Sequence, residues 1–201
     1  MKSALFAAVT LAAFHFSGEA GAQSAIEETV LLKHKSWMVE HEYFTSTGSQ
    51  GCSAATANRL GDMFEIHSTA EGTVTLYLWM GADFKDWSGS FTDDMILHID
   101  YKTWTLNDAG FKTDGQMRWV RFAFPPGDSF TRFLKDIYAG SAVALKTPSG
   151  TKTISTWSLA GSAAALLKLA ECTDRISAAA DTYGSGRDTY GGNSDTYGSS
   201  Y

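Results

Sequence analysis

Residues Thr151–Cys172, TKTISTWSLAGSAAALLKLAEC, give the clearest structural signal in the chain, and its other segments can be placed relative to them. Its first half carries the β-branched and aromatic residues of a strand, and its second half predicts a short amphipathic helix ending at Cys172. Apolar side chains in the second half recur at three- and four-residue spacings, so they share one helix face that we expect to be buried: Leu159, Ala163, Leu166, Leu167 and Ala170. Ser158 or Ser162 is positioned to cap the first turn.

The chain has two cysteines, Cys52 and Cys172. Cys52 lies in TSTGSQGCSAATANRLG, a segment whose composition predicts a loop. No C-x-x-C motif or neighbouring histidine accompanies either cysteine, which disfavours a metal ligand or a reactive thiol. Two cysteines in an exported chain most simply form one disulfide. We therefore predict a bridge from an early loop to the last helix, and we predict no cofactor.

Residues 1–22 have the organisation of a secretory signal peptide. Lys2 precedes an apolar run, Ala4–Phe16, and Ala20-Gly21-Ala22 supplies small residues at a cleavage site. A run of about 13 apolar residues is shorter than the roughly 20 that a membrane-spanning helix needs. We therefore expect a mature chain starting at Gln23, with no transmembrane segment after cleavage and a periplasmic or secreted location.

The formal net charge of −6 bears on the choice of partner. Lysines and arginines are scattered along the chain and form no basic patch that would bind a phosphate backbone. The sequence therefore predicts no nucleic acid partner, and the same reasoning argues against an anionic membrane surface.

Alternating apolar and polar residues predict a mainly β fold for residues 23–172. Asp62–Ser68 and Thr73–Met80 form the clearest hairpin, with Phe64, Ile66 and Leu76 on one face. We count about seven strands and two helices, joined by links too short for parallel crossovers. This predicts an antiparallel β-sandwich or open barrel with helices packed on an edge or face. Whether Ile26–Leu32 is a helix or a strand stays open.

The first of the two helices is predicted to start at Asp128 or Ser129 and to end at Gly140. Its inward face is expected to comprise Phe130, Phe133, Leu134, Ile137 and Tyr138.

Residues 173–201 differ in composition from the rest of the chain. The repeats DTYGSGR, DTYGGNS and DTYGSSY start at Asp181, Asp188 and Asp195. Gly and Ser fill the positions where a coiled coil needs apolar residues, so we predict a disordered tail. Its candidate binding residues are Tyr183, Tyr190 and Tyr197; the alternative is a tail that only adds solubility.

Catalytic motifs are weak, and we predict no catalytic or metal-binding residue. His67 shares a strand face with Glu65, and His98 shares one with Asp100, so a cluster across strands is geometrically possible. Ser149 matches S-x-x-K but follows a proline in a turn, and Ser162 lacks the second glycine of a nucleophile elbow. Most tryptophans on strands are expected to serve the core. Trp87, in the loop-like segment Gly81–Ser90, is the best candidate for an exposed contact.

The closing segment SLAGSAAALLKLAEC, together with the leader, the early Ser36-Trp37-Met38-Val39 and an early cysteine, resembles exported proteobacterial proteins of the invasion-associated locus B type. The resemblance implies a periplasmic or secreted β-rich domain without established catalytic residues. The DTYG tail lies outside the family pattern.

These features predict an exported protein of the bacterial envelope that acts by binding a protein or glycan partner and has no catalytic activity. One alternative is a hydrolase or metal-dependent enzyme with a site assembled from dispersed His and Asp residues. Another is an inhibitor or immunity partner of a secreted protein.

Overall fold

A computed structural model describes residues 26–80, 95–107, 109–114, 117–124, 128–147 and 149–184. These residues form eleven strands and two helices. In chain order they are β1 (Ile26–His34), β2 (Trp37–Phe44), β3 (Ser49–Ala57), β4 (Met63–Thr69), β5 (Val74–Met80), β6 (Met95–Ile99), β7 (Lys102–Leu106), β8 (Gly110–Asp114), β9 (Met117–Ala123), α1 (Asp128–Ala139), β10 (Ala142–Lys146), β11 (Thr153–Ser158) and α2 (Ser162–Gly184).

The strands form two antiparallel sheets. The larger has seven strands in the order β1-β2-β3-β4-β5-β9-β8, and the smaller has four in the order β11-β10-β6-β7. The predicted class, mainly antiparallel β with two packed helices, is confirmed, and of the two architectures considered the structure is a sandwich. Ile26–Leu32, left open by its sequence, belongs to strand β1, and strand β8 was not predicted.

The predicted hairpin of β4 and β5 fixes which face of the larger sheet is inside. Phe64 pairs with Leu78 and Ile66 with Leu76, and all four side chains are fully buried. Because successive strand residues point to opposite faces, their neighbours must point away from the core. We call these two sides the inner and the outer face.

The core lies between the inner face, the smaller sheet and both helices. Phe64 contacts Trp37 and Trp157, with ring centroids 6.3 and 5.8 Å apart. Helix α2 packs across β1–β4, and α1 packs on α2. Phe133 of α1 reaches Trp104 of the smaller sheet, with ring centroids 5.4 Å apart.

Predicted inward residues Phe133 and Ile137 are buried, whereas Tyr138 is 53% exposed, which corrects its assignment to the inward face.

The disulfide between Cys52 and Cys172 is confirmed, with a Cα–Cα distance of 6.1 Å. The loop predicted around Cys52 is wrong, because this residue lies within β3. Gly, Ala and Ser have low strand propensity, but β3 is paired on both sides, with β2 and with β4. Small side chains at Cys52 and Ala54 leave room for α2 to approach the sheet. Tertiary packing therefore overrides local propensity here.

Helix α2 continues past Cys172 to Gly184, so the expected end of the helix at Cys172 is wrong. Ile176 is buried one turn beyond the cysteine. The Thr173 hydroxyl lies 2.5 Å from that of Ser68, and Ser177 donates to the Ala70 carbonyl at 3.0 Å. The folded domain thus includes residues that the sequence had assigned to the tail. Leu167, expected to face inward, is 61% exposed.

A buried polar group joins the two sheets at one end of the sandwich. The Asp62 carboxylate accepts hydrogen bonds from Ser155 and from Asn58, the latter at 3.1 Å. The Trp157 indole N–H donates to the Asp62 carbonyl at 2.9 Å. These bonds connect the β3–β4 turn to β11. None of the helices in the described ranges is both long and apolar enough to cross a lipid bilayer.

Candidate functional site

The outer face of the larger sheet carries a cluster of aromatic and acidic side chains at its centre. The register places its members on one face of β2, β4, β5 and β9, with β3 between β2 and β4. All of them except Glu42 adjoin a buried inner-face residue on their own strand, as strand geometry requires. We call this surface the aromatic–acidic face, and it comprises Glu40, Glu42, Glu65, His67, Tyr77, Trp79 and Trp119.

Three rings form the aromatic part of this face. Tyr77 stacks on Trp79 with centroids 5.9 Å apart and meets Trp119 edge-on at 5.7 Å. Trp79 and Trp119 oppose each other directly across β5 and β9, with centroids 5.6 Å apart. All three are half-buried, so each presents part of its ring to solvent while the rest is fixed by its neighbours. The result is a rigid aromatic platform.

Glu65 links the platform to the acidic part. Its Oε2 accepts a hydrogen bond from the Trp79 indole N–H at 2.7 Å. Burial raises the pKa of Glu65 to about 7, although the Trp79 hydrogen bond acts in the opposite direction. A carboxyl group with this pKa is about half protonated at neutral pH and largely protonated below it, so it can donate as well as accept.

Glu42 and His67 form the second polar pair, with 3.5 Å between Glu42 Oε2 and His67 Nε2. Burial opposes ionisation of Glu42, but hydrogen bonds from His67 and Ser53 outweigh it and lower the Glu42 pKa. Burial also disfavours the charged imidazole, yet the Glu42 carboxylate raises the His67 pKa overall. The pair therefore favours a carboxylate beside an imidazolium.

Gly51 makes this pair possible. It lies on β3 between the two residues, and a Cβ added there would be 2.5 Å from His67 Nε2. No other residue leaves this space for the imidazole, so the imidazole crosses β3 over a glycine to reach Glu42.

The arrangement suits recognition of a polar molecule with flat apolar surfaces. Aromatic rings supply an apolar surface with fixed geometry. Carboxylates accept hydrogen bonds, and a protonated carboxyl and an imidazolium donate them. A sugar ring has both features, because its faces carry C–H groups and its edge carries hydroxyls.

The other pair considered in the sequence, His98 and Asp100, lies away from the aromatic–acidic face. His98 lies on the smaller sheet, where its Nε2 is 3.4 Å from the Thr103 hydroxyl. Asp100 adopts a positive φ of 52° in the β6–β7 turn, and its carboxylate accepts from the Ser141 and Ala142 N–H groups. Its role is thus to hold a turn against β10. Within the described part of the chain, no three His, Cys, Asp or Glu residues lie close enough to hold a metal ion.

The two candidate nucleophiles have structural positions. Ser149 lies in the turn after β10, where its hydroxyl is 3.1 Å from that of Thr147. Ser162 is buried at the start of α2 and donates to the Ile137 carbonyl at 2.8 Å, which joins the two helices.

The predicted contact residues fall largely outside the described residues, which exclude Trp87, Tyr190 and Tyr197. Tyr183 lies in the last turn of α2. The sequence predicted part of the aromatic–acidic face. The alternation along β4 and β5 places Glu65 with His67, and Tyr77 with Trp79, on the side away from the core. Its connection to Glu42 and Trp119 depends on strand order.

No protein-family model, curated protein or solved structure matches this chain. The resemblance to the invasion-associated locus B proteins therefore stays a prediction.

Proposed function

We propose that this chain is an exported binding protein of the bacterial envelope and that its aromatic–acidic face binds a glycan. The observation that carries the proposal is the platform of Tyr77, Trp79 and Trp119. Glu65 adjoins it and accepts a hydrogen bond from the Trp79 indole at 2.7 Å. A disulfide is typical of proteins that function in an oxidising compartment, which supports export.

Fixed aromatic rings favour binding because little side-chain freedom is lost when the ligand arrives. Each ring of the platform contacts the other two, and Trp79 is also held by Glu65. Glu42 is held in turn by His67 and Ser53. We expect a sugar ring to stack on the exposed part of the platform while its hydroxyls bond to these carboxyl groups.

The experiment is a screen of the folded, oxidised protein against an array of bacterial oligosaccharides, followed by titration calorimetry with the best ligand. Trp119→Ala should weaken binding by at least about tenfold because it removes one ring of the platform. Tyr101→Ala is the matched control, since Tyr101 is 88% exposed in the β6–β7 turn, away from this face. Circular dichroism checks that both variants fold.

Absence of any glycan ligand, or equal binding by wild type and a folded Trp119→Ala variant, would refute the proposal.

One observation favours a second function, glycoside hydrolysis. Glu65 has a raised pKa of about 7 and Glu42 a lowered pKa, so below pH 7 the face carries both a largely protonated and an ionised carboxyl group. Glycosidases need one group of each kind. Release of new reducing ends from a bound oligosaccharide, abolished in Glu65→Gln, would establish hydrolysis; binding without release would leave the binding function alone.

A further inference from the structure

A second concave surface lies between strand β7 and helix α1, away from the aromatic–acidic face. It consists of two cavities that share Trp104 as a common wall. One, of about 530 Å³, has an apolar lining that includes Leu106, Phe122 and Phe124. The other, of about 490 Å³, is lined by Lys102, Arg132 and Lys135 together with Asp136. We call the two together the β7–α1 groove.

The order of residues along the two elements sets the polarity of the groove. On β7, Lys102 lines the basic cavity and Leu106 the apolar one. On α1, Ser129 lines the apolar cavity, and Arg132 and Lys135, about one and two turns later, line the basic one. The groove therefore passes from an apolar section to a cationic section past a single indole.

The charge of the basic section is only partly balanced. Asp136 is its one carboxylate, and both oxygens are engaged: Lys102 donates to Oδ1, and the Trp104 indole N–H donates to Oδ2 at 3.0 Å. Arg132 and Lys135 are exposed, and neither has an ion-pair partner in the part of the chain described by the structure. Two positive charges thus face this cavity in a chain whose net charge is −6.

The aromatic wall of the apolar section is held firmly in place. Phe124 contacts Phe122 and Phe133, with ring centroids 4.9 and 4.7 Å apart. Trp104 contacts Phe133 edge-on and is tied to Asp136. A volume of this size lies within the range of small-molecule sites, which are lined mainly by apolar side chains with a few fixed polar groups.

We propose that the β7–α1 groove binds an amphiphilic anion with a single apolar chain, namely a free fatty carboxylate. Its apolar chain occupies the section lined by Leu106, Phe122 and Phe124. Its carboxylate bonds to Arg132 and Lys135, whose charges complement it. This proposal does not depend on glycan binding, because the two surfaces share no residue.

The test is titration calorimetry of the folded, oxidised protein with decanoate below its micelle concentration. Decanol and acetate serve as ligands that retain only the chain or only the carboxylate. We expect saturable binding of decanoate and affinity for each of the other two that is weaker by at least about tenfold. Failure of decanoate to bind, or equal affinity for decanoate and decanol, would overturn the proposal.

Variants separate the two sections of the groove. The double variant Arg132→Gln with Lys135→Gln should lower decanoate affinity by about tenfold and leave decanol binding unchanged, since charged hydrogen bonds are lost and the apolar wall is retained. Lys168→Gln is the matched control, because this lysine is paired with Glu171 on α2 outside the groove. A folded double variant that binds decanoate as wild type would also overturn the proposal.

Discussion

The Trp79 indole donates a hydrogen bond to the Glu65 carboxyl, 2.7 Å from Nε1 to Oε2, between neighbouring strands of the larger sheet. This bond joins the two halves of the aromatic–acidic face. Burial of the Glu65 carboxyl group raises its pKa to about 7, although the bond itself acts in the opposite direction. The consequences for stability and for binding can be measured separately.

We expect the protein to lose stability as the pH rises from 5 to 8. The Glu65 pKa is raised from 4.5 to about 7, so the folded state binds more protons than the unfolded state in this interval. His67, whose pKa is also raised, acts in the same direction, since its contribution is lost above its folded pKa. Glu65 contributes at most roughly 3 kcal/mol to this loss in the free energy of unfolding. Urea unfolding at several pH values measures the loss.

Glu65→Gln should remove most of this pH dependence. Glutamine keeps an oxygen that accepts from Trp79 but does not titrate, so the variant should match the wild type near pH 5 and exceed its stability at pH 8. Glu171→Gln on α2 is the control, because this carboxylate is fully exposed and its pKa is lowered. If the free energy of unfolding changed with pH in the same way in the wild type and in Glu65→Gln, Glu65 would not be the source of the pH dependence.

Gly51→Ala should displace the His67 ring. The added Cβ would lie 2.5 Å from His67 Nε2, while the nearest backbone atom, the Ser68 carbonyl oxygen, is 3.4 Å away. The ring can rotate away, so we expect a modest cost of about 1 kcal/mol. The displaced ring loses its contact with the Glu42 carboxylate, and this loss should lower the His67 pKa. NMR titration of the imidazole measures the change.

The matched control for this substitution is Gly110→Ala. Gly110 also lies in a strand of the larger sheet, but its nearest neighbour, the Arg121 carbonyl oxygen, is 3.8 Å from the added Cβ. An unchanged His67 pKa in Gly51→Ala would show that the glycine does not position the imidazole.

Removal of the disulfide should strongly destabilise the fold. The bridge closes a loop across a sequence separation of 120 residues. In the chain-entropy model this is worth up to about 5 kcal/mol, and loss of a native bridge usually costs about 2–5 kcal/mol. The double variant Cys52→Ala with Cys172→Ala should therefore unfold at lower urea concentration. Thiol labelling of both cysteines in the native protein, isolated under non-reducing conditions, would contradict the bridge itself.

The sequence by itself determined which side chains of the β4–β5 hairpin are buried, because period-two alternation leaves one assignment for Phe64 and Leu76. It also predicted that Cys52 and Cys172 pair, since the chain has no other cysteine and carries a leader typical of exported proteins. The same alternation predicted that Glu65 and His67 share one face. These features follow from local periodicity and composition, which a single chain displays without knowledge of its fold.

Only the tertiary structure decided where β3 runs and where α2 ends. The small residues around Cys52 have little strand propensity, so their strand depends on pairing with β2 and β4. The extension of α2 beyond Cys172 follows burial of Ile176 and contacts with Ser68 and Ala70. Likewise, Glu42 reaches His67 across β3, and Trp119 reaches Trp79 because β5 and β9, which are distant in sequence, become neighbours in one sheet. Such long-range pairings are set by the balance of burial over the whole domain, which no local pattern encodes.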